Sequence, residues 1–535
     1  MAGKAIMVQG TCSNAGKSML VTALCRIFRQ DGFRVAPFKA QNMSLNSYVT
    51  VDGYEIGRAQ GAQAEAAGVE AEAIMNPVLL KPSGDRVAQV VLLGRPVGHV
   101  GAKEYRRDYV PRVLPVIEDS LQQLQARFDI VAIEGAGSPA EVNLRDRDIA
   151  NMRVAEMAGA PVLLVADVDR GGALASIVGT LELLEPEERA RVAGLVINKF
   201  RGDIDLLRPG LEFLATRTGK PVLGVIPYFN ERLLDDEDSV SLTERRARAS
   251  EPSLPASRQT RETGLEIAVL RLPHISNFTD FDPLEAEPEV RLRYVEDGEP
   301  VGNPDAVILP GTKNTTADLA YLRSKGYDRR LRDIASAGVP VIGICGGYQM
   351  LGLKILDPLG VESTRPETDG LGLLSTVTEF RPDKEVRRVE ARVTGDCGLL
   401  QGLTGMVVAG FEIHMGLTRR LEGTRTWLEV IEKGGKRTSE PEGGLDAQGN
   451  VLGTYLHDLF SNRNFREGLL KALWRRRGLA EPVALQDRPE PSKERNYDRL
   501  AGIVRQNLDL EFVYRLMGAE RGTRSRANPT SADEP

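Results

Sequence analysis

Short apolar runs closed by glycine or polar residues recur along this chain, and stretches of helical periodicity follow many of them. Ala5-Ile6-Met7-Val8 is the first. Runs at 34–38, 129–133, 161–166, 192–197 and 221–226 continue the series. Runs of this length, apolar on both faces and alternating with helices, predict strands of a buried, doubly wound parallel sheet. The helix after the first strand carries Met19, Leu20, Leu24, Ile27 and Phe28, and a second helix is expected over 56–67. The series resumes at 266–270, 306–309 and 340–344, and ends in a strand over 451–457 that closes on His457. Between the two series, 233–263 is acidic, then basic and rich in Ser, Pro and Thr, which reads as a linker. The expected organisation is two α/β domains, 1–232 and 264–462, joined by this linker. A helical segment follows over 463–517, with helices at 464–478 and 494–516, and a polar tail over 518–535 is expected to be disordered.

Composition narrows the classes. The 535 residues are 41% hydrophobic and 27% charged, with a net charge of −6. No Lys/Arg run suggests a nucleic-acid face. Neither a signal peptide nor an apolar stretch of membrane length is evident, so the expected location is cytoplasmic, without a membrane partner. Cys12, Cys25, Cys345 and Cys397 show no CxxC spacing, which argues against a disulfide framework or a Cys-rich zinc site. Imidazole chemistry is limited to His99, His274, His414 and His457.

Two stretches carry chemistry. The first is Gly10-Thr11-Cys12-Ser13-Asn14-Ala15-Gly16-Lys17-Ser18, between the first strand and its helix. Strand, glycine-bearing loop, Lys-Ser and helix form a phosphate-binding loop, in which backbone N–H groups point at phosphate oxygens. Thr11, Ser13, Asn14, Ala15 and Gly16 would line it, Lys17 would reach the β/γ-phosphates and the Ser18 hydroxyl would bind Mg²⁺. The usual first glycine is displaced: Thr11 holds its place, and Gly10 lies one residue earlier. Glu134 ends the 129–133 run and opens Glu134-Gly135-Ala136-Gly137-Ser138, where a carboxylate is well placed for the nucleotide's metal. Lys39, Gln41 and Asn42, after the second strand, are candidates for touching phosphate or an acidic substrate, with a solvated loop as the alternative. Asn198, at another strand end, is a candidate for holding the nucleotide base.

The second stretch is Gly343-Ile344-Cys345-Gly346-Gly347-Tyr348-Gln349, a nucleophile elbow with cysteine at its apex. The N–H of Gly346 and a backbone N–H near Gly311 would form an oxyanion hole. A helix N-terminus favours the thiolate. The base ranks as His457 ahead of His414.

Together these motifs resemble the cobyrinate amidase family, specifically its cobyric acid-forming branch. Phe38-Lys39-Ala40-Gln41-Asn42-Met43, Asn198-Lys199-Phe200-Arg201-Gly202-Asp203 and Gly453-Thr454-Tyr455-Leu456-His457 add to the likeness, which extends to about Leu516. The first half is similar to the dethiobiotin synthetase type of P-loop domain, which shares the displaced glycine. The second half is similar to a class I glutamine amidotransferase domain. The resemblance implies ATP- and glutamine-dependent amidation of the b, d, e and g carboxylates of adenosylcobyrinic acid a,c-diamide, with Mg²⁺ and acyl phosphates. Cys345 would release ammonia from L-glutamine while His457 moves protons. One departure concerns the wider class, which places Glu two residues after the catalytic histidine. That position is Leu459 here, leaving Glu412 or a backbone carbonyl to orient His457. The rival within the family amidates positions a and c. A rival of another class is a nucleotide-dependent switch whose second domain only binds a partner.

Overall fold

The computed structural model describes residues 3–84, 87–235, 264–479 and 492–520. The 236–263 part of the expected linker and the 521–535 part of the expected tail lie outside them.

The first half is built on a six-stranded parallel sheet. Lys4–Gly10 lies inside it, with Ile130–Glu134 on one side and Val162–Asp167 on the other. Val35–Phe38 completes the first side, and Val192–Phe200 and Val222–Pro227 complete the second. The chain therefore reverses its winding direction around the P-loop strand. That is the point where an open parallel sheet leaves a crevice at its carboxyl edge. The inner strands are almost wholly buried, because helices cover both faces, while the edge strand Val222–Pro227 is mostly half-buried.

The second half repeats the plan. Val290–Val295, Leu265–Leu270, Ala306–Leu309, Val341–Ile344 and Val451–Thr454 are parallel, and Gly444–Leu445 closes the edge antiparallel.

Three features depart from expectation. The segment around 76–82, where Asn76-Pro77 and Pro82 read as a turn, instead begins an antiparallel ribbon of Val78–Gly84, Val87–Leu92 and Arg95–Gly101. Between Lys354 and Glu442 the second half inserts two four-stranded sheets that no periodicity flagged. The helix expected over 494–516 is two helices, Lys493–Asn507 and Leu510–Met517. The break falls at Leu508-Asp509, where Asp509 caps the second helix by accepting from the Phe512 N–H.

The C-terminal helices also divide their allegiance. Arg463–Arg476 buries Phe465, Leu469, Leu470, Leu473 and Trp474 in the core of the second half. Lys493–Asn507 and Leu510–Met517 return to the P-loop helix Lys17–Gln30, burying Tyr497, Leu500, Val504, Val513 and Tyr514 with Leu24, Ile27 and Phe28.

The halves are docked by polar clasps and a small apolar cluster. Asn46 accepts from the Phe278 N–H, and the Ser47 N–H donates to Asn277 Oδ1 at 2.9 Å. Val49 packs with Val386, Phe411 and Ile413. Glu55 is completely buried and carries two lysines: Lys81 from its own half at 2.6 Å, and Lys384 from the other. Among the described residues no helix is long and apolar enough to cross a membrane.

Candidate active site

The phosphate-loop residues converge at the carboxyl edge of the first sheet. Gly16 has φ 106°, and a β-carbon there would lie 2.0 Å from the Asn198 amide nitrogen, so only glycine fits. Asn198 is buried beneath the loop, where its amide donates to the Ala15 carbonyl at 2.9 Å. It braces the loop from behind rather than facing outward. Thr11 is pinned by its N–H to the Val165 carbonyl, whereas Ser13 and Asn14 are exposed at the rim. Lys17 folds across the loop and donates to the carbonyls of Cys12 at 2.9 Å and Gly137 at 3.1 Å.

Ser18 donates to Glu134 Oε1 at 2.9 Å. This pair of oxygen donors beside the loop fits a hard divalent cation. Glu134 is held on its other sides by Lys39 at 2.8 Å and by the Gln63 amide at 2.6 Å. Of the candidates after the second strand, Lys39 thus sits on Glu134. Gln41 accepts from the Tyr105 hydroxyl, and Asn42 turns inward to Gln60. Asn151 steadies the Glu134 loop through both backbone groups of Ala136. It escaped sequence reading, because nothing local marks it.

The second site lies at the carboxyl edge of the second sheet. Cys345 adopts φ 50°, ψ −108°, a strained conformation for a residue with a β-carbon, and one found where a turn must present its side chain. The flanking glycines are compulsory. A β-carbon at Gly347 would meet the Leu309 carbonyl at 2.1 Å, and one at Gly346 would meet Thr312 at 2.6 Å. Gly311 is less crowded, with His457 Cε1 3.0 Å from where its β-carbon would be. Gly311, Gly346, Cys345 and His457 therefore share one small volume.

The strand expected to end at His457 stops at Thr454, and His457 is set three residues beyond it by a two-way backbone bridge to Phe411. The imidazole is fully buried, stacks on the Phe411 ring and lies beside Cys345, with the Asn277 amide nitrogen 3.4 Å from its Nε2.

What orients His457 is Asp280, and neither Glu412 nor a backbone carbonyl. The His457 Nδ1 lies 2.6 Å from Asp280 Oδ2, and Asp280 Oδ1 accepts from the Asp458 N–H at 3.0 Å. Glu412 is instead engaged by Lys433 at 2.8 Å. Burial pulls the imidazole toward its neutral form, but the Asp280 charge and hydrogen bond, with Cys345, outweigh that and push it up to about 10. His414 does not compete. Its ring lies on Tyr455 with centroids 3.7 Å apart, and its Nδ1 is 3.0 Å from the Gly416 carbonyl.

Cys345 is only 7% exposed, yet it opens into a cavity of about 390 Å³. Both halves line that cavity. Lys81, Ser83 and His99 come from the antiparallel ribbon, and Lys313, Gln349 and Glu362 from the second half.

Comparison with known proteins gives these sites a context. Residues 6–239 match the model of the CobQ/CobB/MinD/ParA nucleotide binding domain, and residues 266–465 match that of the CobB/CobQ-like glutamine amidotransferase domain. A cobyric acid synthase from Pelotomaculum thermopropionicum is 56% identical over 519 residues, covering 96% of this chain and 97% of that protein. Those from Moorella thermoacetica and Desulforamulus reducens are 52% and 50% identical, each over 97% of this chain and over 98% and 99% of the relative. The chain belongs to the cobyric acid synthase family. In this member of the cobyric acid synthases, Asp280 is the functional group that sequence reasoning missed. It lies 177 positions from His457, inside Phe278-Thr279-Asp280-Phe281, with no motif around it. The one usable signal was the clustering of acids and aromatics just past the first strand of the second half.

Proposed function

We propose that this chain amidates the b, d, e and g carboxylates of adenosylcobyrinic acid a,c-diamide, using ATP and L-glutamine, to form adenosylcobyric acid. A carboxylate is a poor electrophile, so its activation by phosphate must precede attack by ammonia. In the first half, Lys17 and the N–H groups at the start of its helix would neutralise charge on the transferring phosphoryl group. Ser18 and Glu134 would hold Mg²⁺, which when bound supplies further charge neutralisation at the phosphate oxygens. The carboxylate oxygen takes the phosphoryl group and ADP leaves. Ammonia then displaces phosphate from the acyl carbon.

In the second half, the Cys345 thiolate attacks the side-chain carbonyl of glutamine. The developing oxyanion is met by N–H groups at Gly346 and near Gly311. His457 protonates the departing ammonia, and a water molecule assisted by the same imidazole hydrolyses the thioester to glutamate. Asp280 keeps His457 in the orientation and charge state this requires.

The observation that supports the reading most is one chain carrying both constellations: a Lys-Ser-carboxylate site suited to phosphate and metal, and a thiol, imidazole and carboxylate grouped beside a cavity. A protected path for ammonia between them is part of the proposal, because ammonia released to water at neutral pH would be protonated and unreactive. The test is incubation with the a,c-diamide, glutamine and Mg-ATP, read by mass spectrometry. Conversion of four carboxylates supports the assignment, and conversion stopping at two, on a substrate lacking the a and c amides, reassigns the chain to the a,c-amidating rival. Absence of glutamate release under all conditions rejects glutamine hydrolysis and leaves the nucleotide-dependent switch.

A further inference from the structure

The cavity beside Cys345 contains more charge than thiol chemistry needs. Three lysines, Lys81, Lys313 and Lys384, and the carboxylate Glu362 line it. Lys81 and Lys384 are both spent on Glu55, which they grip from opposite sides. Lys313 differs. It follows Gly311-Thr312, the stretch that backs His457, and among the described residues its ammonium makes no ion pair or side-chain hydrogen bond. Its backbone is fixed by an N–H to the His274 carbonyl at 2.9 Å. Glu362 is positioned as firmly on the same wall. One oxygen accepts from the Thr316 N–H at 2.9 Å and the other from the Thr315 hydroxyl at 3.4 Å, while its own N–H is held by Asp357. Among the described residues the Glu362 carboxylate forms no ion pair, and the cation whose charge acts on it is Lys313. An ammonium and a carboxylate thus face one cavity, each fixed by its backbone and each lacking a direct partner of opposite charge.

Glutamine is a zwitterion at its α-carbon, and its reacting amide lies at the far end of the side chain. A pocket that positions the amide on Cys345 must take up both α-charges away from water. We propose that Lys313 and Glu362 are the specificity residues of this pocket, the ammonium holding the ligand's α-carboxylate and the carboxylate its α-ammonium. This rests on the glutamine-hydrolysing role of Cys345. Removal from water pushes Glu362 up to about 7 and pulls Lys313 down, so each would gain in its charged form from an opposite charge on the ligand. Thr315 links the pair to the rest of the pocket, since it also bonds the Gln349 amide oxygen at 3.0 Å.

The test uses the full-length protein and three amides: glutamine, glutaramate, which lacks the α-amino group, and 4-aminobutanamide, which lacks the α-carboxylate. Ammonia release is measured for each and divided by the ammonia-supported amidation rate of the same preparation, which corrects for folding. The unaltered protein is expected to prefer glutamine over each analogue by roughly 10- to 100-fold in kcat/KM, the value of a hydrogen-bonded charge pair. Lys313→Met should erase the preference over 4-aminobutanamide and keep that over glutaramate, while Lys313→Arg retains both. Glu362→Gln should do the reverse of Lys313→Met. Equal losses on all three amides would overturn the proposal by making Lys313 or Glu362 a general support of the thiol site, and unchanged preferences would overturn it outright. If the unaltered protein releases no ammonia from glutamine, the glutaminase reading itself falls, a result seen before any variant is made.

Discussion

The two halves meet the same structural demand by opposite means. Each places its chemistry where a parallel strand turns into a helix, and each twists the backbone to do so. In the first half the left-handed turn falls on Gly16, a residue that takes it without strain, and the groups proposed to meet the ligand are largely main-chain N–H groups of one continuous loop. In the second half the strained position is Cys345, which must keep its side chain if its thiol is the reagent of the proposed reaction. Its partners come from remote parts of the chain, His457 beyond the fifth parallel strand and Asp280 beyond the first. Binding a phosphate needs an array of dipoles, which consecutive residues supply. Moving a proton needs acid and base side chains at hydrogen-bond distance, which only folding brings together.

The sharpest way to break this comparison is to disable each half in turn. Lys17→Ala is expected to remove amidation with either nitrogen source, whereas Cys345→Ala should lower the glutamine-dependent rate by at least ~10³-fold and leave the ammonia-dependent rate intact. Product mass with each nitrogen source reads both, and ammonia-dependent turnover by Lys17→Ala would show that the P-loop does not activate the carboxylate.

Next in size is Asp280→Asn, expected to cost glutamine hydrolysis on the order of 10²- to 10⁴-fold. The sign of its pH effect is fixed. Asp280 raises the His457 pKa, so the imidazolium persists until pH approaches about 10. Without that carboxylate the imidazolium loses its proton at lower pH, and the alkaline limb of kcat/KM should move down. The same raised pKa contributes stability that is complete below pH ~6.5 and lost as pH rises toward 10. An alkaline limb unmoved in Asp280→Asn would exclude this carboxylate from the proton inventory.

The contact between the halves comes third. Glu55→Gln leaves Lys81 and Lys384 buried without their shared carboxylate, and about 3–5 kcal/mol of stability should be lost. Burial opposes ionisation of Glu55, but Lys384 and Lys81 prevail and hold it well below the usual carboxylate range. Its contribution is therefore present at neutral pH and fades as the pH falls through that depressed value. Thermal unfolding at pH 7 should show the loss. A midpoint equal to that of the parent protein would remove Glu55 from the docking of the halves.

The smallest effect belongs to the returning C-terminal helices. Asp498 bonds Arg26 at 2.7 Å but is half exposed, so Asp498→Ala should cost less than ~1 kcal/mol by denaturant titration. A larger loss would mean that these helices are held to the P-loop domain by charge rather than by Tyr497, Leu500 and Val504.

How far the sequence could be read follows from the same contrast. Most strands of both parallel sheets were legible, since burial on both faces leaves nearly continuous apolar runs such as Ile130–Glu134 and Val162–Asp167, whereas the edge strand Val290–Val295, interrupted by Arg291 and Arg293, was not. The nearness of Lys17 and Ser18 was legible because consecutive loop residues fix their spacing, and the place of Glu134 because a polar residue closing a buried apolar run falls at the carboxyl edge of the sheet. Cys345 was legible because Gly346 and Gly347 have no alternative beside Thr312 and Leu309. The inserted antiparallel sheets were not, because their one-sided burial breaks the strands into alternating, polar stretches such as Glu385–Val393. The division of the last helices between two cores was not, because an apolar helix face does not name the surface it will cover.

The amino-acid order alone therefore marked the strands of two parallel α/β sheets, a glycine-bearing loop before Lys17-Ser18 and a cysteine at a glycine-framed turn, each announced by a pattern within a few residues. Tertiary structure alone decided that Asp280 meets His457, that Asn198 and Asn151 brace the first site, and that Lys81 and Lys384 clasp Glu55 beside the thiol. Those choices depend on which strand edges face each other, and hydrogen-bond partners far apart in the chain leave no trace in its local pattern.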